Sequence, residues 1–147
     1  MAAIRSATAI WEGDLLSGKG TVSSGSSKTF SLLPVSWAAR TESPDGKTSP
    51  EELIASAHAS CFCMALSAGL GRAGTPPQSL ETSADVTFDK VGEGWAVTSS
   101  ALTVRGKVPG IREYEFQEAA EAAKDGCPVS TALKGNVTIS VKATLIQ

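Results

Sequence analysis

The chain has 147 residues, the length of one ordinary domain, and carries 13 Lys and Arg against 15 Asp and Glu. The net charge of −2 and the lack of a basic cluster argue against a nucleic-acid partner, because phosphate binding requires a basic surface. No stretch approaches the roughly 20 apolar residues of a membrane span, and the N-terminus lacks the apolar core of a signal peptide. We therefore expect a cytoplasmic protein with no membrane partner and a single domain over residues 1–147.

The first third of the chain predicts short strands. Residues 7–11 favour a strand, and the turn residues at 17–20 indicate that 7–24 form a hairpin. A third short strand is expected over 30–33, before Pro34. Residues 41–50 contain two prolines and a glycine and are expected to form an exposed loop.

A long apolar helix is the clearest local signal. Ser49 can cap its start, Pro50 suits the first helical position, and Glu52 completes a capping box. Helical spacing of apolar residues continues towards 71–74, which gives about 20 residues and a length of roughly 30 Å. The helix is nearly devoid of charge, so most of its surface must be buried. Because one small domain covers only one side, we infer that a second copy covers the other.

The rest of the chain predicts a long β-hairpin, helical segments and a closing strand. Their expected bounds are 82–90 and 95–107 for the hairpin, 113–124 and 128–133 for the helical segments, and 137–145 for the last strand. The order β-β-β-α-β-β-α-β indicates an α+β fold, with an antiparallel sheet packed on helices.

Two of the three cysteines are candidates for chemistry on sulfur. Cys61 lies in the middle of the apolar helix, where a small buried hydrophobe is the ordinary interpretation. Cys127 precedes Pro128 at an expected N-cap, where N–H groups and the helix dipole stabilise a thiolate. A structural turn cysteine is equally compatible with that position. Cys63 points about 200° away from Cys61 around the helix, so it is interpreted as a packing residue.

No metal or cofactor is expected. The chain lacks a Cys-x-x-Cys pair, and its single histidine, His58, is three residues from Cys61. His58 could act as a general base for that cysteine. A partly buried helix residue is the simpler interpretation.

A reactive buried thiol requires a nearby cation, because burial raises the pKa of the thiol. Arg40 follows an apolar stretch and stays charged when desolvated, so it is a better candidate than Lys47. Glu51 is close in sequence and could hold the arginine, although both residues could be ordinary surface charges. Glu51 and Cys61 are ten residues apart, about 15 Å along a regular helix. Either the helix breaks early, Arg40 spans the gap, or a second subunit supplies one half of the site.

Motifs along essentially the whole chain resemble the OsmC/Ohr family, and within it the osmotically inducible protein C (OsmC) branch rather than the organic hydroperoxide resistance (Ohr) branch. The matching segments are Trp11–Asp14, Gly18–Ser23, Pro50–Ile54, Ala57–Phe62, Ala84–Val86, Asp89–Val91, Val108–Ile111 and Gly126–Ser130.

The resemblance implies a thiol-dependent peroxidase that reduces organic hydroperoxides to alcohols in oxidative and osmotic stress defence. It implies an intertwined homodimer with two long central helices wrapped by antiparallel sheets. Cys61 would be the peroxidatic cysteine and Cys127 the resolving one, with Arg40 stabilising the thiolate and Glu51 orienting Arg40. The implied reductant is a dithiol, such as a lipoyl protein.

Two other functions remain open at this stage. A non-enzymatic, stress-induced dimer that binds a small apolar ligand would carry inert cysteines. A general thiol–disulfide exchanger is the weaker alternative, because the chain has no Cys-x-x-Cys.

Overall fold

Ten helices and strands follow one another in the computed structural model, which describes all residues from 1 to 147. The chain divides into two compact units, Met1–Leu53 and Ile54–Gln147. The elements in chain order are β1 (Ala7–Glu12), β2 (Lys19–Ser24), β3 (Leu33–Val35), α1 (Trp37–Thr41), α2 (Pro50–Arg72), β4 (Ser79–Val91), β5 (Gly94–Lys107), α3 (Glu113–Gly126), α4 (Pro128–Leu133) and β6 (Thr138–Leu145).

The first unit contains a three-stranded antiparallel sheet in the order β1-β2-β3. This confirms the predicted hairpin over 7–24, but its turn lies earlier than expected, because Lys19 already belongs to β2. The Asp14 carboxylate accepts hydrogen bonds from the N–H groups of Leu16 and Ser17 at 2.9 and 2.8 Å. This side-chain bonding fixes the turn in the way typical of aspartate.

In the first unit, one predicted strand was wrong in detail and one helix was missed. The third strand does not end before Pro34 but includes it, which is possible because β3 is an edge strand and proline has no N–H to contribute. Helix α1 was not predicted. It begins after Ser36, whose hydroxyl accepts a hydrogen bond from the Ala39 N–H at 3.1 Å.

Helix α2 begins as the sequence predicts and runs unbroken for 23 residues. The Ser49 hydroxyl accepts a hydrogen bond from the Glu52 N–H at 3.1 Å, and the Glu52 carboxylate accepts one from the Thr48 hydroxyl at 2.7 Å. An early break in this helix is therefore excluded.

The expectation that no segment could span a membrane needs correction. Helix α2 is long and apolar enough to do so by length and composition, a test that core helices of soluble proteins also pass. Only 22% of its most apolar window is buried within one chain, and Met64 is 66% exposed. Much of its apolar surface is therefore available to a further partner.

The second unit contains the sheet β4-β5-β6, in which β4 and β5 form the predicted long antiparallel hairpin. The expectation of a purely antiparallel sheet was wrong, because β6 pairs with β5 in parallel. Helices α3 and α4 lie between these strands in the chain. They provide the long crossover connection that parallel neighbours require.

The buried core of the second unit lies between the sheet and the helices. Every second residue of β5 from Ser100 to Gly106 is buried, as period-2 alternation requires. Phe62 and Leu66 of α2 and Phe116 of α3 are fully buried in the same hydrophobic cluster. This core supports the segments that carry all three cysteines.

Candidate active site

Two cysteine thiols meet in the second unit. Cys61 is half-buried on α2, and Cys127 is fully buried at the N-cap of α4. Each thiol changes the pKa of the other, so the two interact, and both are free thiols. The structure therefore brings together the two residues that the sequence selected, with only Cys61 open to a reactant.

Burial is the main influence on Cys61 and raises the pKa of its thiol. The Val129 N–H acts in the opposite direction, whereas the hydrogen bond and the charge of Cys127 raise the pKa further. Within this unit, Cys61 is therefore the thiol that keeps its proton. A Cys61 thiolate needs an additional positive group.

Cys127 behaves differently. Burial by itself would raise its pKa, but hydrogen bonds from the Ser130 N–H, the Cys61 thiol, the Ser130 hydroxyl and the Val129 N–H together lower it below its ordinary value. The sulfur makes no regular N-cap hydrogen bond, so these weaker contacts to sulfur account for the effect. When the pair of thiols loses its first proton, that proton consequently comes from Cys127.

The third cysteine lies outside this pair. The Cys63 thiol donates a hydrogen bond to the Thr82 hydroxyl at 3.0 Å, on strand β4. Its separate partner agrees with the prediction that Cys63 and Cys61 point to different sides of the helix.

Three buried polar side chains, Ser100, His58 and Ser130, form a series of hydrogen bonds that ends in α4, the helix whose N-cap is Cys127. His58 is fully buried, with Nδ1 2.6 Å from the Ser100 hydroxyl and Nε2 2.8 Å from the Ser130 hydroxyl. Burial lowers the pKa of the imidazole, so the ring is neutral at neutral pH. His58 is thus more deeply buried than the sequence indicated, and its hydrogen-bond partners are the two serines rather than a cysteine.

Arg40 and Glu51 form the predicted pair in the first unit. The Arg40 Nη2 and Nε atoms donate hydrogen bonds to the two Glu51 carboxylate oxygens at 2.6 and 3.2 Å. Glu51 is buried, and the Arg40 guanidinium also lies 5.6 Å from the centre of the Trp37 ring. A two-point bond of this kind fixes the direction of the guanidinium and holds its charge in place.

An apolar cavity of about 300 Å³ adjoins this arginine in the first unit. Its walls come from β1, its following turn, β3, α1 and the start of α2. The lining residues are Trp11, Leu15, Val35, Ser36, Trp37, Arg40 and Pro50. A pocket with apolar walls and one charged group suits a small, largely apolar molecule with a polar end.

Comparison with known proteins identifies the family. The model of the family described as OsmC-like protein matches residues 43–142. The chain belongs to the OsmC-like family. The match includes the thiol pair, Glu51 and the whole of helix α2, whereas Arg40 lies just before the matched range.

Two curated relatives of the OsmC-like chain carry functional names. The peroxiredoxin OsmC of Escherichia coli K12 is 49% identical over 129 residues, which cover 88% of this chain and 89% of that protein. An organic hydroperoxide resistance protein of Xanthomonas axonopodis pv. citri is 31% identical over 64% of this chain and 65% of its own length.

Solved structures share the OsmC-like fold at low sequence identity. An organic hydroperoxide resistance protein from Elizabethkingia anophelis superposes with a TM-score of 0.77 at 22% identity, covering 99% of this chain and all of that one. The OhrB protein of Bacillus subtilis gives 0.74 at 22% identity and covers 95% and 98% of the two chains. At this identity, the likeness concerns the fold.

The sequence did not indicate Ser100 and Ser130, the two serines that bond His58. Ser130 stands in the same motif as Cys127, and its spacing of three residues from that cysteine could have indicated a contact within one helical turn. Ser100 gives no comparable signal, because it lies on β5, 42 residues from His58. No group of three or more His, Cys, Asp or Glu side chains is arranged so that it could hold a metal ion.

Proposed function

We propose that the protein is a cysteine-based peroxidase that reduces organic hydroperoxides to alcohols in oxidative and osmotic stress defence in the cytoplasm. The observation that carries this proposal is the interacting pair of free thiols, Cys61 half-buried and Cys127 fully buried. An exposed thiol can meet a peroxide, and a sheltered neighbour can then close a disulfide. The names of the two curated relatives support the same chemistry.

The proposed cycle has three steps. The Cys61 thiolate attacks the distal oxygen of the hydroperoxide, the O–O bond breaks, and the alkoxide takes a proton to leave as an alcohol. Cys61 becomes a sulfenic acid. The Cys127 thiolate then attacks the Cys61 sulfur and displaces hydroxide, which takes a proton to form water. An external dithiol, such as a lipoyl protein, reduces the disulfide and is itself oxidised.

We assign Arg40 the role of stabilising the Cys61 thiolate and Glu51 the role of orienting Arg40. Cys61 requires this help, since the contacts in its own unit leave the negative charge on Cys127. Helix α2 is unbroken, and ten residues of helix rise about 15 Å between Glu51 and Cys61. We therefore propose that the Arg40–Glu51 pair serves the Cys61 of a second subunit in a homodimer.

The exposed apolar surface of α2 supports the proposed dimer, in which two such helices would lie at the centre. In this proposal, residues 1–147 act as one domain of each subunit, with no cofactor, nucleic acid or membrane taking part. The apolar cavity beside Arg40 would accept the organic part of a hydroperoxide. Bulky organic substrates would then react faster than hydrogen peroxide.

Counting thiols tests the reaction. The reduced protein is treated with one equivalent of cumene hydroperoxide, and free thiols are counted before and after. We expect two of the three thiols per chain to disappear, with a Cys61–Cys127 link found by mass spectrometry. An unchanged count would contradict the peroxidase and favour the alternative of a non-enzymatic, dimeric protein that binds a small ligand in the apolar cavity.

Mixing two inactive variants tests the shared site. Cys61→Ser keeps Arg40, and Arg40→Met keeps Cys61, so a mixed dimer has one complete site only if the site is built across subunits. An equimolar mixture, refolded together, should regain roughly a quarter of the parent activity, because half of the dimers are mixed and each has one of two sites intact. No recovery, with mixed dimers verified by mass, would place the pair and the thiol in one subunit.

A further inference from the structure

The buried imidazole of His58 has no part in the cycle above, yet it is the middle of a continuous hydrogen-bonded chain. The chain starts at Ser100 on β5, passes through His58 on α2 and reaches the Ser130 hydroxyl on α4. Ser130 lies in the first turn of α4, three residues after the N-cap Cys127, and lowers the pKa of the Cys127 thiol. All four side chains are buried, so water does not compete for these bonds.

We propose that His58 is a positioning residue for the resolving cysteine: it holds the Ser130 hydroxyl as a hydrogen-bond donor to the Cys127 sulfur and so speeds closure of the Cys61–Cys127 disulfide. The resolving role of Cys127 rests on the proposed function, whereas the hydrogen bonds of His58 to Ser100 and Ser130 do not.

The number of protons on each group limits how these hydrogen bonds can be oriented. A serine hydroxyl has one proton, so if Ser130 donates it to the Cys127 thiolate, its oxygen must accept a hydrogen bond in the contact with His58. His58 Nε2, 2.8 Å away, is the group that can donate it. The proton of the neutral ring is then on Nε2, and Nδ1 accepts from the Ser100 hydroxyl at 2.6 Å. The Ser100 hydroxyl can donate to Nδ1 and is therefore compatible with the tautomer that Ser130 needs.

This arrangement acts on the second chemical step. The Cys127 thiolate forms the S–S bond as the S–O bond of the Cys61 sulfenic acid breaks, and the released hydroxide becomes water after taking a proton. A hydroxyl aimed at Cys127 stabilises the attacking thiolate and fixes its direction. Because the sulfur is fully buried, it has few other donors, namely the Cys61 thiol and the N–H groups of Val129 and Ser130.

The first experiment needs no peroxide. In the Cys61→Ser, Cys63→Ser protein, Cys127 is the only thiol, and its ionisation can be followed by thiolate absorbance in the ultraviolet. Ser130→Ala and His58→Phe should each raise the pKa of Cys127, so that the thiolate fraction falls about tenfold at a pH below both values. Ser67→Ala, an exposed serine on the same helix, is the matched control and should leave the pKa unchanged.

Less disruptive variants guard against a simple folding defect. His58→Gln can place an amide donor near the Nε2 position and should recover part of the effect that His58→Phe loses. Nitrogen NMR of the single histidine should show the neutral tautomer protonated at Nε2. The inference is overturned if Ser130→Ala lowers the thiolate fraction but no His58 variant does, or if the ring is protonated at Nδ1 alone while Cys127 is a thiolate.

The second experiment measures disulfide closure with Cys61 restored. After one equivalent of cumene hydroperoxide, rapid acid quenching and mass spectrometry should show closure slowed about tenfold in Ser130→Ala and His58→Phe. Formation of the sulfenic acid should not be slowed, because less negative charge on Cys127 makes Cys61 easier to ionise. Equal closure rates in all variants would overturn the inference. If the unsubstituted protein itself loses no thiols, the proposed function has failed. The Cys127 titration then still decides whether the hydrogen bonds from Ser100 through His58 to Ser130 affect this sulfur.

Discussion

The two units of the chain differ in how they bury their side chains. Every buried hydrophobic residue lies in Ile54–Gln147, where sheet and helices enclose a common cluster. In Met1–Leu53, the buried residues are Gly20 and the charged Glu51, and all of β1 is exposed. The exposed large hydrophobic residues of this first unit are Met1, Ile4, Ile10, Trp11, Leu15, Leu16 and Leu32.

This difference matters for the proposed chemistry. The unit with its own core holds the thiol pair, whose direction and contacts depend on rigid packing. The unit without a hydrophobic core holds the cation, fixed by a two-point bond to a buried carboxylate instead. Its many exposed apolar side chains are the kind of surface that marks an interaction site, in agreement with the proposed dimer.

The largest expected effect comes from the thiol in the packed unit. Cys61→Ser should lower turnover of cumene hydroperoxide by at least about a thousandfold, because serine cannot replace a thiolate nucleophile. The matched variant Cys63→Ser, two residues away and bonded to Thr82, should keep nearly all activity. Turnover is measured as hydroperoxide consumed in the presence of a dithiol. Substantial activity in Cys61→Ser would remove this cysteine from the mechanism.

Removing Cys127 distinguishes the roles of the two cysteines. Cys127→Ser should react with one equivalent of cumene hydroperoxide as the parent does and then stop, since its sulfenic acid has no neighbour with which to form a disulfide. Excess peroxide should drive Cys61 further along the oxidation ladder, to the sulfinic acid. Mass spectrometry would detect the two added oxygens. Continued turnover without this overoxidation would show that Cys127 is not the resolving thiol.

The charged pair of the other unit should give the next largest effect. Arg40→Met should lower kcat/KM about a hundredfold, because a fixed positive group stabilising a developing charge is lost. It should also destabilise the fold by up to about 3 kcal/mol, because it leaves the buried Glu51 unpaired. Solvent reduces this loss, since the Arg40 side chain is 28% exposed.

Glu51→Gln and a neighbouring pair provide the controls. Glu51→Gln keeps the side-chain shape and should lower activity less than Arg40→Met does. Lys47→Met breaks the exposed pair with Asp45, 3.6 Å apart, and should change stability by less than about 1 kcal/mol. Activity and denaturant unfolding of all three variants provide the comparison. Equal effects of Arg40→Met and Lys47→Met would mean that Arg40 is an ordinary surface charge.

Packing in the second unit can be tested with one added methyl group. In Gly106→Ala, the new Cβ would lie 2.6 Å from Cε2 of Phe116 and even closer to Cζ, so the core would have to shift. We expect a loss of about 1–3 kcal/mol in the free energy of unfolding. Gly126→Ala, where no atom lies within 4 Å of the new Cβ, should be neutral or slightly stabilising. Similar stability of both variants would contradict a tightly packed core.

The smallest expected effect is a pH dependence from His58. Burial lowers its pKa in the folded state, whereas the unfolded chain keeps the ordinary value near 6.5. Below pH 6.5 the unfolded state binds a proton that the folded state does not. Stability is therefore full above pH 6.5 and falls as the pH decreases, by at most about 1.4 kcal/mol per pH unit.

His58→Gln removes the only histidine and is the direct control. Denaturant unfolding between pH 5 and 8 should show the slope in the parent and lose that contribution in the variant. A parent slope near pH 6 that persists unchanged in His58→Gln would have to come from another group.

The sequence by itself determined the local elements and the candidate residues. Apolar periodicity and a proline-led helix start set the bounds of α2 to within a few residues, because local hydrogen bonding and steric fit decide those features. The same local logic put Cys127 at the start of α4 and indicated the Arg40–Glu51 pair. It missed α1, whose short length leaves no periodic pattern.

Only the tertiary structure decided which distant side chains share one environment. Three features depend on segments that are tens of residues apart in sequence. They are the parallel pairing of β6, the contact of Ser100 with His58 and the lowering of the Cys127 pKa. Sequence spacing gives no measure of such contacts, since they result from how the helices and the sheet pack on a common core. The same packing made His58 a fully buried link to Ser130 rather than a partly buried helix residue.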